Sequence, residues 1–276
     1  MPSRRKYHTA ASKPTAKYLR ACAKTDIPNA SARKLVILDL NGTLLFRSQS
    51  QRGSSRTVYT RPYMPSFREY LFHSETRSWL DTMIWSSAQP HNVAIMVQAC
   101  FGSDKDKLIQ IWARDRMKLD ESSYNQKVQT IKDLDQVWQH SKTTSSLPQH
   151  SVYSTVLFDD SMKKAVLQPY NHIALKEYDN EMRRKDFSLT SSSSHPLTVL
   201  DKHDTSLLAL VGILEDLRSQ ENVAKWIKDG HIIPQDAQAP SSIDKWFESD
   251  HNMQHWTLKG RNALDRLGIL IQANVK

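Results

Sequence analysis

The segment that most constrains the fold covers residues 34–46 and reads KLVILDLNGTLLF. Its first five residues are mostly apolar and rich in β-branched side chains, and a polar Asn-Gly turn follows. This pattern is typical of a strand buried on both faces of a parallel sheet. Ligands bind beyond the carboxyl ends of such strands. Asp39 lies at that end, so the sequence predicts a strand over 34–38 that leads into a functional loop.

Three further apolar runs have the length of a strand: 81–85 (DTMIW), 154–158 (STVLF) and 172–175 (HIAL). The first ends in two serines and the second in two aspartates, and helix-compatible segments follow at 92–101 and 165–167. Strands that alternate with helices and end in polar residues indicate an open α/β sheet. The predicted fold is therefore a doubly wound parallel sheet.

The remaining segments frame this sheet. Residues 47–61 are polar and basic and are predicted as a loop or a flap hairpin, and a helix is expected over 65–72. Loops are predicted at 142–150 and 191–194 and helices at 206–218 and 223–227, and one or two amphipathic helices are predicted within 243–271. The chain thus combines an α/β core with a small flap insertion and a helical C-terminal extension.

Composition and charge restrict the location and the partners that can be expected for this chain. No run of 18 apolar residues occurs, so no transmembrane segment is predicted. Two cysteines cannot form a disulfide framework, which suits the nucleus or cytoplasm. The net charge of +9 favours acidic partners such as phosphopeptides. Direct nucleic-acid binding is the less favoured alternative, because the positive surplus is spread along the chain.

The N-terminal segment carries several basic residues and no acid before Asp26. That composition matches a mitochondrial transit peptide, which makes the mitochondrion an alternative location. The competing interpretation is a disordered basic tail, since Pro2 and Pro14 would interrupt an amphipathic helix. We expect this tail to cover residues 1–32.

The polar residues at the strand ends make chemical sense as a phosphate site. Asp39 can act as a nucleophile toward phosphorus if a cation reduces the repulsion between two anions, and Mg²⁺ binds carboxylates, carbonyls and phosphate oxygens. Asp159 and Asp160 would supply further carboxylates. Ser86 or Ser87 offers a hydroxyl group to the phosphate. A lysine is also needed, and the best placed along the chain is Lys132, although Lys127 is close by.

In order along the chain, these features resemble the motifs of the haloacid dehalogenase superfamily. The closer resemblance is to its branch of RNA polymerase II C-terminal-domain phosphatases, also called the NLI-interacting-factor domain. The matching stretches are 39–44 (DLNGTL), 59–62 (YTRP), 84–88 (IWSSA), 132–134 (KDL), 157–161 (LFDDS) and 168–173 (QPYNHI). The resemblance covers roughly residues 33–229, which predicts a haloacid dehalogenase-like domain there and a separate extension over 230–276.

The resemblance implies a role for each matched residue. Asp39 would form an aspartyl-phosphate intermediate, and Asp39, Asp160 and the backbone carbonyl of Asn41 would bind Mg²⁺. Asp159 would hold a metal-bound water. Ser86 and Lys132 would bind the phosphate. Thr43 would support phosphate binding by bracing the loop that carries Asp39.

Asn41 departs from the family pattern, in which a second acid stands at this position. That acid protonates the leaving oxygen and then activates water, and an amide cannot do either. Two hypotheses follow. The chain is a Mg²⁺-dependent phosphomonoester hydrolase that acts on a phosphoprotein or phosphopeptide, with activity impaired at Asn41. Alternatively, it is a non-catalytic binding or scaffold protein of the same fold, like the presequence-receptor subunit of the mitochondrial inner-membrane import translocase.

Overall fold

The computed structural model describes residues 13–27, 33–48, 56–191, 203–237 and 242–275. Its strands in chain order are β1 (Lys34–Leu38), β2 (Leu45–Arg47), β3 (Val58–Thr60), β4 (Leu80–Trp85), β5 (Gln110–Trp112), β6 (Thr155–Asp159) and β7 (His172–Ala174). Five of them form one sheet with the order β5-β4-β1-β6-β7, and every neighbouring pair in it is parallel. The other two, β2 and β3, pair as an antiparallel hairpin. The predicted flap hairpin is therefore present, and residues 49–55 of the predicted segment lie outside the described residues.

Helices connect and flank these strands. They are α1 (Ala16–Ala21), α2 (Met64–Phe72), α3 (Ser74–Trp79), α4 (Pro90–Phe101), α5 (Glu121–Tyr124), α6 (Leu134–Thr143), α7 (Asn180–Ser191), α8 (Ser206–Arg218), α9 (Val223–Lys228) and α10 (Asp250–Arg266). Within the described ranges, no helix combines the length and the apolar character needed to cross a bilayer.

The sheet is covered on both faces. Along β1, Val36 and Leu38 belong to one apolar core, while Leu35 and Ile37 belong to a second one. Side chains alternate across a strand, so these two cores lie on opposite faces of the sheet. The prediction of an α/β fold with a doubly wound parallel sheet is confirmed.

Two local predictions differ from the structure. Residues 110–112 form the edge strand β5, which the sequence did not signal because the run is short and Ile111 is exposed. The helix expected at 165–167 is a turn between 3₁₀ segments at Met162–Lys164 and Pro169–Asn171. A proline at position 169 disfavours helical backbone at the residue before it, so a helix cannot continue through this point.

The C-terminal extension packs into the domain. Helix α10 lies along α8 at a crossing where Gly260 and Gly212 meet, and a Cβ atom at Gly260 would stand 1.9 Å from the carbonyl oxygen of Leu208. Trp256 and Leu264 of α10 are buried in the same apolar core as α8. The extension therefore covers the sheet domain, although the boundary predicted at residue 230 stays a prediction.

Part of the predicted N-terminal tail is folded. Helix α1 buries Tyr18, whose ring stacks on Tyr170 at 6.4 Å and whose hydroxyl group accepts a hydrogen bond from the Tyr170 backbone N–H at 2.9 Å. Asn222 donates to the carbonyls of Ala21 and Lys24 at the end of this helix. The expectation of disorder does not hold for residues 13–27, because Tyr18 supplies apolar contact that the basic composition concealed. Residues 1–12 and 28–32 lie outside the described residues.

Candidate active site

The sheet brings the predicted strand-end residues to one edge. Leu38 of β1 is paired with Phe158 of β6 and with Ile84 of β4. Asp39 therefore emerges beside Asp159, and its backbone N–H donates to the carbonyl of Phe158 at 3.0 Å. Parallel strands end at the same edge, which is why residues far apart in sequence converge here.

Lys132 reaches into this edge and joins two of the acids. Its ammonium group donates to Asp39 Oδ1 at 2.8 Å and to Asp159 Oδ2 at 2.5 Å, and the side chain is fully buried. The backbone N–H of Lys132 donates to the carbonyl of Lys164 at 2.8 Å, which fixes its segment beside the loop after β6. Lys127, the alternative lysine, is exposed.

Asp160 is held by the loop that follows Asp39. Its backbone N–H donates to Thr43 Oγ1 at 3.1 Å, and the Thr43 hydroxyl group lies 3.4 Å from Asp160 Oδ1. Gly42 has φ +94°, and a Cβ atom on it would stand 2.8 Å from Asp160 Cγ. Only glycine leaves this space for the carboxylate. Thr43 therefore holds the Asp160 backbone beside the loop that follows β1.

The site carries more negative charge than its lysine can balance. Three carboxylates, those of Asp39, Asp159 and Asp160, interact with Lys132. Burial raises the pKa of Asp39 to about 6, against the opposing effect of Lys132. Burial and then the charge of Asp39 raise the pKa of Asp160 to about 7. Burial alone would lower the pKa of Lys132. The negative charges of Asp159 and Asp39 have the larger effect, so the pKa of Lys132 is raised.

These residues fit a magnesium ion by their chemistry. Carboxylate and carbonyl oxygens are the ligands Mg²⁺ prefers, and it is often held by only one or two carboxylates while it keeps several waters. Asp39 and Asp160 are such carboxylates, and the uncompensated charge around them favours a cation. In the part of the chain that the structure describes, no group of three or more His, Cys, Asp or Glu side chains is arranged to hold an ion. A Mg²⁺ site here would therefore rest on two carboxylates and a backbone carbonyl.

Ser86 and Ser87 follow β4 at the same edge. Ser86 is buried, its backbone N–H donates to the carbonyl of Trp112 at 3.0 Å, and its hydroxyl oxygen accepts from the backbone N–H of Ala88 at 3.4 Å. The sequence did not single out Arg114, whose guanidinium lies 3.3 Å from the carbonyl of Ser87 and also donates to three carbonyls of the 123–126 segment. Arg114 thus braces the serine turn.

The side chain of Asn41 is hydrogen bonded to the flap hairpin, not to Asp39, Asp159 or Asp160. Its side chain is exposed, and its Oδ1 accepts a hydrogen bond from the backbone N–H of Arg47 at 3.0 Å. Asn41 also forms a bridge with Leu45 at the start of β2. The amide therefore stabilises the junction between the loop after β1 (residues 39–44) and the hairpin.

Two charged residues near the acids were missed from the sequence. Lys164 donates to the Thr130 hydroxyl group, and its pKa is lowered by burial and by the charge of Lys132. Glu177 is exposed, its charge contributes to the raised pKa of Asp160, and the backbone N–H of the next residue, Tyr178, donates to the carbonyl of Gly42 at 2.7 Å. The lysine pair after the Asp-Asp-Ser motif was a usable signal for Lys164, whereas Glu177 carried none.

Arg61, part of the matched 59–62 stretch, connects the loop after β1 to the rest of the domain. It is fully buried and forms an ion pair with Asp204. Its guanidinium also donates to the carbonyl of Thr43 at 2.9 Å, to the carbonyl of Lys176 at 3.0 Å and to the hydroxyl group of Ser206 at 3.0 Å. Arg61 therefore fixes the backbone on which Asp160 is braced.

Comparison with known proteins identifies relatives of this chain. A family model described as NLI interacting factor-like phosphatase matches residues 34–224, which contain every residue of the site. An uncharacterized FCP1 homology domain-containing protein from Schizosaccharomyces pombe is 37% identical over 204 residues, covering 71% of this chain and 75% of that protein.

Two similar solved structures are a variant of the fission yeast RNA polymerase II CTD phosphatase Fcp1 bound to beryllium fluoride and Fcp1, described as an essential RNA polymerase II CTD phosphatase. Each is 12% identical to this chain, with a TM-score of 0.36, and the match covers 89% of this chain and 69% of the other. The overlap of the backbones is partial at that TM-score, so the fold assignment rests on the strand order of the sheet.

Proposed function

The chain belongs to the family of NLI interacting factor-like phosphatases, and from this membership we propose that it is a phosphomonoester hydrolase that acts on phosphoserine or phosphothreonine in a phosphoprotein. The observation that carries the proposal is the buried cluster in which Lys132 contacts both Asp39 and Asp159. A scaffold gains nothing from burying this much unbalanced charge, because burial of charge is costly unless it is fully paired.

The first chemical step would be attack by Asp39 on phosphorus. A bond forms between a carboxylate oxygen and phosphorus, the bond to the serine or threonine oxygen breaks, and the products are an aspartyl-phosphate and an alkoxide that takes up a proton. Lys132 and Ser86 would hold the phosphate oxygens, while Asp159 orients Lys132 through the 2.5 Å contact. Nucleophilic catalysis of this kind divides one difficult hydrolysis into two easier steps.

Mg²⁺, when bound by Asp39, Asp160 and the carbonyl of Asn41, would reduce the repulsion between the phosphate and the Asp39 carboxylate. Gly42 and Thr43 keep the Asp160 carboxylate in place for this role. Asp160 is accordingly expected to be ionised in the working protein, because a neighbouring cation favours the charged form of a carboxyl group.

The proton transfers are the weak point of the site. Asn41 has no usable titration, and its amide oxygen is occupied by Arg47. Loss of general acid and base assistance slows a reaction by about 10²- to 10⁴-fold without abolishing it. Glu177 is exposed, its charge acts on Asp160, and the next residue, Tyr178, is hydrogen bonded to Gly42. We therefore assign Glu177 the remaining acid and base assistance, directly or through a water.

The test is hydrolysis of an aryl phosphate and of a phosphoserine peptide by the full chain, with and without Mg²⁺. We expect slow Mg²⁺-dependent turnover that Asp39→Asn abolishes and that Asn41→Asp raises by about 10²-fold or more. Glu177→Gln should reduce turnover of the alkyl phosphate more than that of the aryl phosphate, since a poor leaving group depends more on protonation. Chelation of Mg²⁺ is the matched control for each variant.

A binding protein is the second candidate, favoured by the engagement of Asn41 with the flap. In that case neither the wild type nor Asn41→Asp would turn over either substrate, while phosphate analogues would still bind the Asp39 site. Absence of turnover with retained analogue binding would reject the phosphatase in favour of the binding protein, and absence of both would reject the two candidates.

A further inference from the structure

The flap hairpin presents arginines without acidic partners. Arg47 ends β2 and Arg56 lies just before β3, and the positive charge of Arg56 lowers the pKa of Arg47 together with burial. Arg183 of α7 lies over the ring of Tyr59 in β3, with its guanidinium carbon 3.8 Å from the ring centroid. Among the residues that the structure describes, none of these three arginines forms an ion pair.

Two of these arginines have unused hydrogen-bond donors. Arg47 Nη1 and Arg183 Nε are buried from solvent and have no acceptor within the described part of the chain. A buried donor without an acceptor is costly, whereas the fully buried guanidinium of Arg61 donates a hydrogen bond from each of its three nitrogens. Because these guanidinium groups have no acidic partner in the described ranges, an anion from outside the fold could neutralise their charge.

Aromatic side chains hold part of this surface in place. Phe46 of β2 is paired with Tyr59 of β3, and their rings stack at 6.2 Å. Arg183 lies over Tyr59 and also 5.5 Å from the ring centroid of Phe187, which is 47% exposed. Stacking restricts the guanidinium of Arg183, so less conformational freedom is lost when it binds a ligand.

The arginine surface is continuous with the candidate active site. The backbone N–H of Arg47 donates to Asn41, which stands two residues after Asp39. Helix α7 begins two residues after Tyr178, which is hydrogen bonded to Gly42. The hairpin and α7 are therefore both attached to the loop after β1, next to the position that a phosphate bound at Asp39 would occupy.

We propose that Arg47, Arg56 and Arg183 bind acidic side chains or a second phosphate flanking the phosphorylated residue, so that the preferred substrate is a multiply phosphorylated or acidic peptide segment. This inference rests on the proposed function for the position of the first phosphate. Arginine forks recognise phosphate and carboxylate groups through paired hydrogen bonds, and charge complementarity fixes the register of the bound chain.

A peptide fits this surface better than RNA or a membrane. The three arginines lie on a short hairpin and one helix beside the catalytic loop, not along an extended basic face. Arg47 and Arg56 flank the Val58 face of the hairpin, whereas Arg183 lies on the Phe46 and Tyr59 face, since paired residues of adjacent strands share a face. A narrow chain can contact both faces, but a flat bilayer cannot.

The experiment measures equilibrium binding to the full chain carrying Asp39→Asn. The probes are fluorescent peptides of one sequence with a single phosphoserine, and versions with a second phosphoserine at successive positions on either side. We expect the second phosphate to tighten binding by about tenfold at its best position, the effect of one charge-assisted hydrogen bond. Adding Arg47→Gln and Arg56→Gln together should remove most of this gain, and Arg183→Gln should remove a smaller part.

Arg77→Gln is the matched control, because Arg77 is an exposed arginine of α3, which precedes β4 and so lies toward the opposite edge of the sheet. Arg47→Lys should recover only part of the gain, since lysine keeps the charge but not the fork. Thermal melting checks that each variant is folded.

The inference fails if the second phosphate has no effect, or if its effect survives the arginine substitutions. It also fails if single-stranded RNA or anionic phosphatidylserine vesicles bind more tightly than the doubly phosphorylated peptide through the same arginines. Hydrolysis of the singly phosphorylated peptide by the wild type is scored separately. The phosphatase proposal can therefore stand or fall independently of the flanking site.

Discussion

Two buried cation–carboxylate clusters are attached to the same loop and differ in how completely they are neutralised. Arg61 forms an ion pair with Asp204 and also donates to two carbonyls and a hydroxyl group. Lys132 instead contacts two acids, with Asp160 as a third acid nearby. The Arg61–Asp204 pair is balanced and rich in hydrogen bonds, with Asp186 as a second buried acid beside Asp204, whereas the Lys132 cluster retains excess negative charge.

The pKa values follow this difference. Burial would raise the pKa of Asp204, but the charge of Arg61 and hydrogen bonds from Arg61 and Ser206 hold it below its usual range. At the other cluster, burial raises the pKa of Asp39 to about 6 in spite of Lys132. A lowered carboxyl pKa means that the ionised pair adds stability to the fold, whereas raised carboxyl pKa values are common at functional sites. Burial alone does not distinguish Asp204 from Asp39, because both carboxyl groups are buried.

The largest expected effect comes from breaking the balanced cluster. Arg61→Met would leave Asp204 buried without its partner, and loss of one member of a buried pair costs about 3–5 kcal/mol. The backbone of Thr43 would also lose a donor, so activity should fall together with stability. Denaturant unfolding of the full chain measures the effect.

Arg77→Met provides the comparison for that variant, since an exposed arginine without an ion pair in the described ranges should cost less than about 0.5 kcal/mol. The double variant Arg61→Met with Asp204→Leu should recover part of the loss, because the uncompensated charge is then absent. A loss below about 1 kcal/mol for Arg61→Met would contradict the structural role.

A smaller effect is expected where the two clusters meet, at Gly42. Gly42→Ala places a methyl group 2.8 Å from Asp160 Cγ at a backbone with φ +94°, so either the loop or the carboxylate must move. We expect a stability loss of about 2 kcal/mol and at least about a tenfold loss of turnover.

Gly268→Ala separates strain from crowding in that experiment. Gly268 has φ +68°, but a Cβ atom there would meet nothing within 4 Å. It should therefore lose stability through backbone strain and leave turnover unchanged. Equal turnover of Gly42→Ala and Gly268→Ala would mean that Asp160 does not need its present position.

The sequence predicts the strands and helices that carry the two clusters better than it predicts the clusters themselves. The boundaries of β1 at 34–38 and of α8 at 206–218 are as predicted, because both are strongly apolar runs that end at polar or charged residues. Since parallel strands share an edge, Asp39 and Asp159 could be placed together from the strand pattern alone. The short edge strand β5 could not be predicted in this way, because three residues with an exposed Ile111 show no alternation of apolar and polar side chains.

Long-range polar contacts were the part that the sequence could not supply. The Arg61–Asp204 pair joins residues 143 positions apart, and no local pattern distinguishes Asp204 from a surface acid. Lys132 was placed only by its order in the matched motifs, and its two contacts depend on the fold around residue 164. The engagement of Asn41 with Arg47 likewise depends on hairpin geometry. The pattern of apolar residues predicts strands and helices, whereas the hydrogen-bond partners of side chains are set by tertiary packing.

The pH dependence of stability gives a more modest test of the balanced cluster. A carboxyl group whose pKa is lowered in the folded state adds stability above its unfolded pKa, about 4, and loses it as pH falls through the folded value. Asp204 is such a group. The difference in unfolding free energy between wild type and Asp204→Asn should be about 1–2 kcal/mol at pH 7 and shrink below pH 4. A difference that grows on acidification would contradict the direction of the shift.

The smallest expected change in stability is at the residue with the largest expected role in catalysis. Asp39→Asn removes one negative charge from a cluster that has too many, and the amide oxygen can still accept from Lys132. The unfolding free energy should change by less than about 1 kcal/mol or increase, whereas turnover should fall by at least about 10³-fold. Denaturant unfolding and aryl phosphate hydrolysis on the same preparation check both values. A loss of about 3 kcal/mol or more, as expected for Arg61→Met, would show that the Asp39 cluster is a structural ion pair, because charge reserved for a ligand does not hold the fold together.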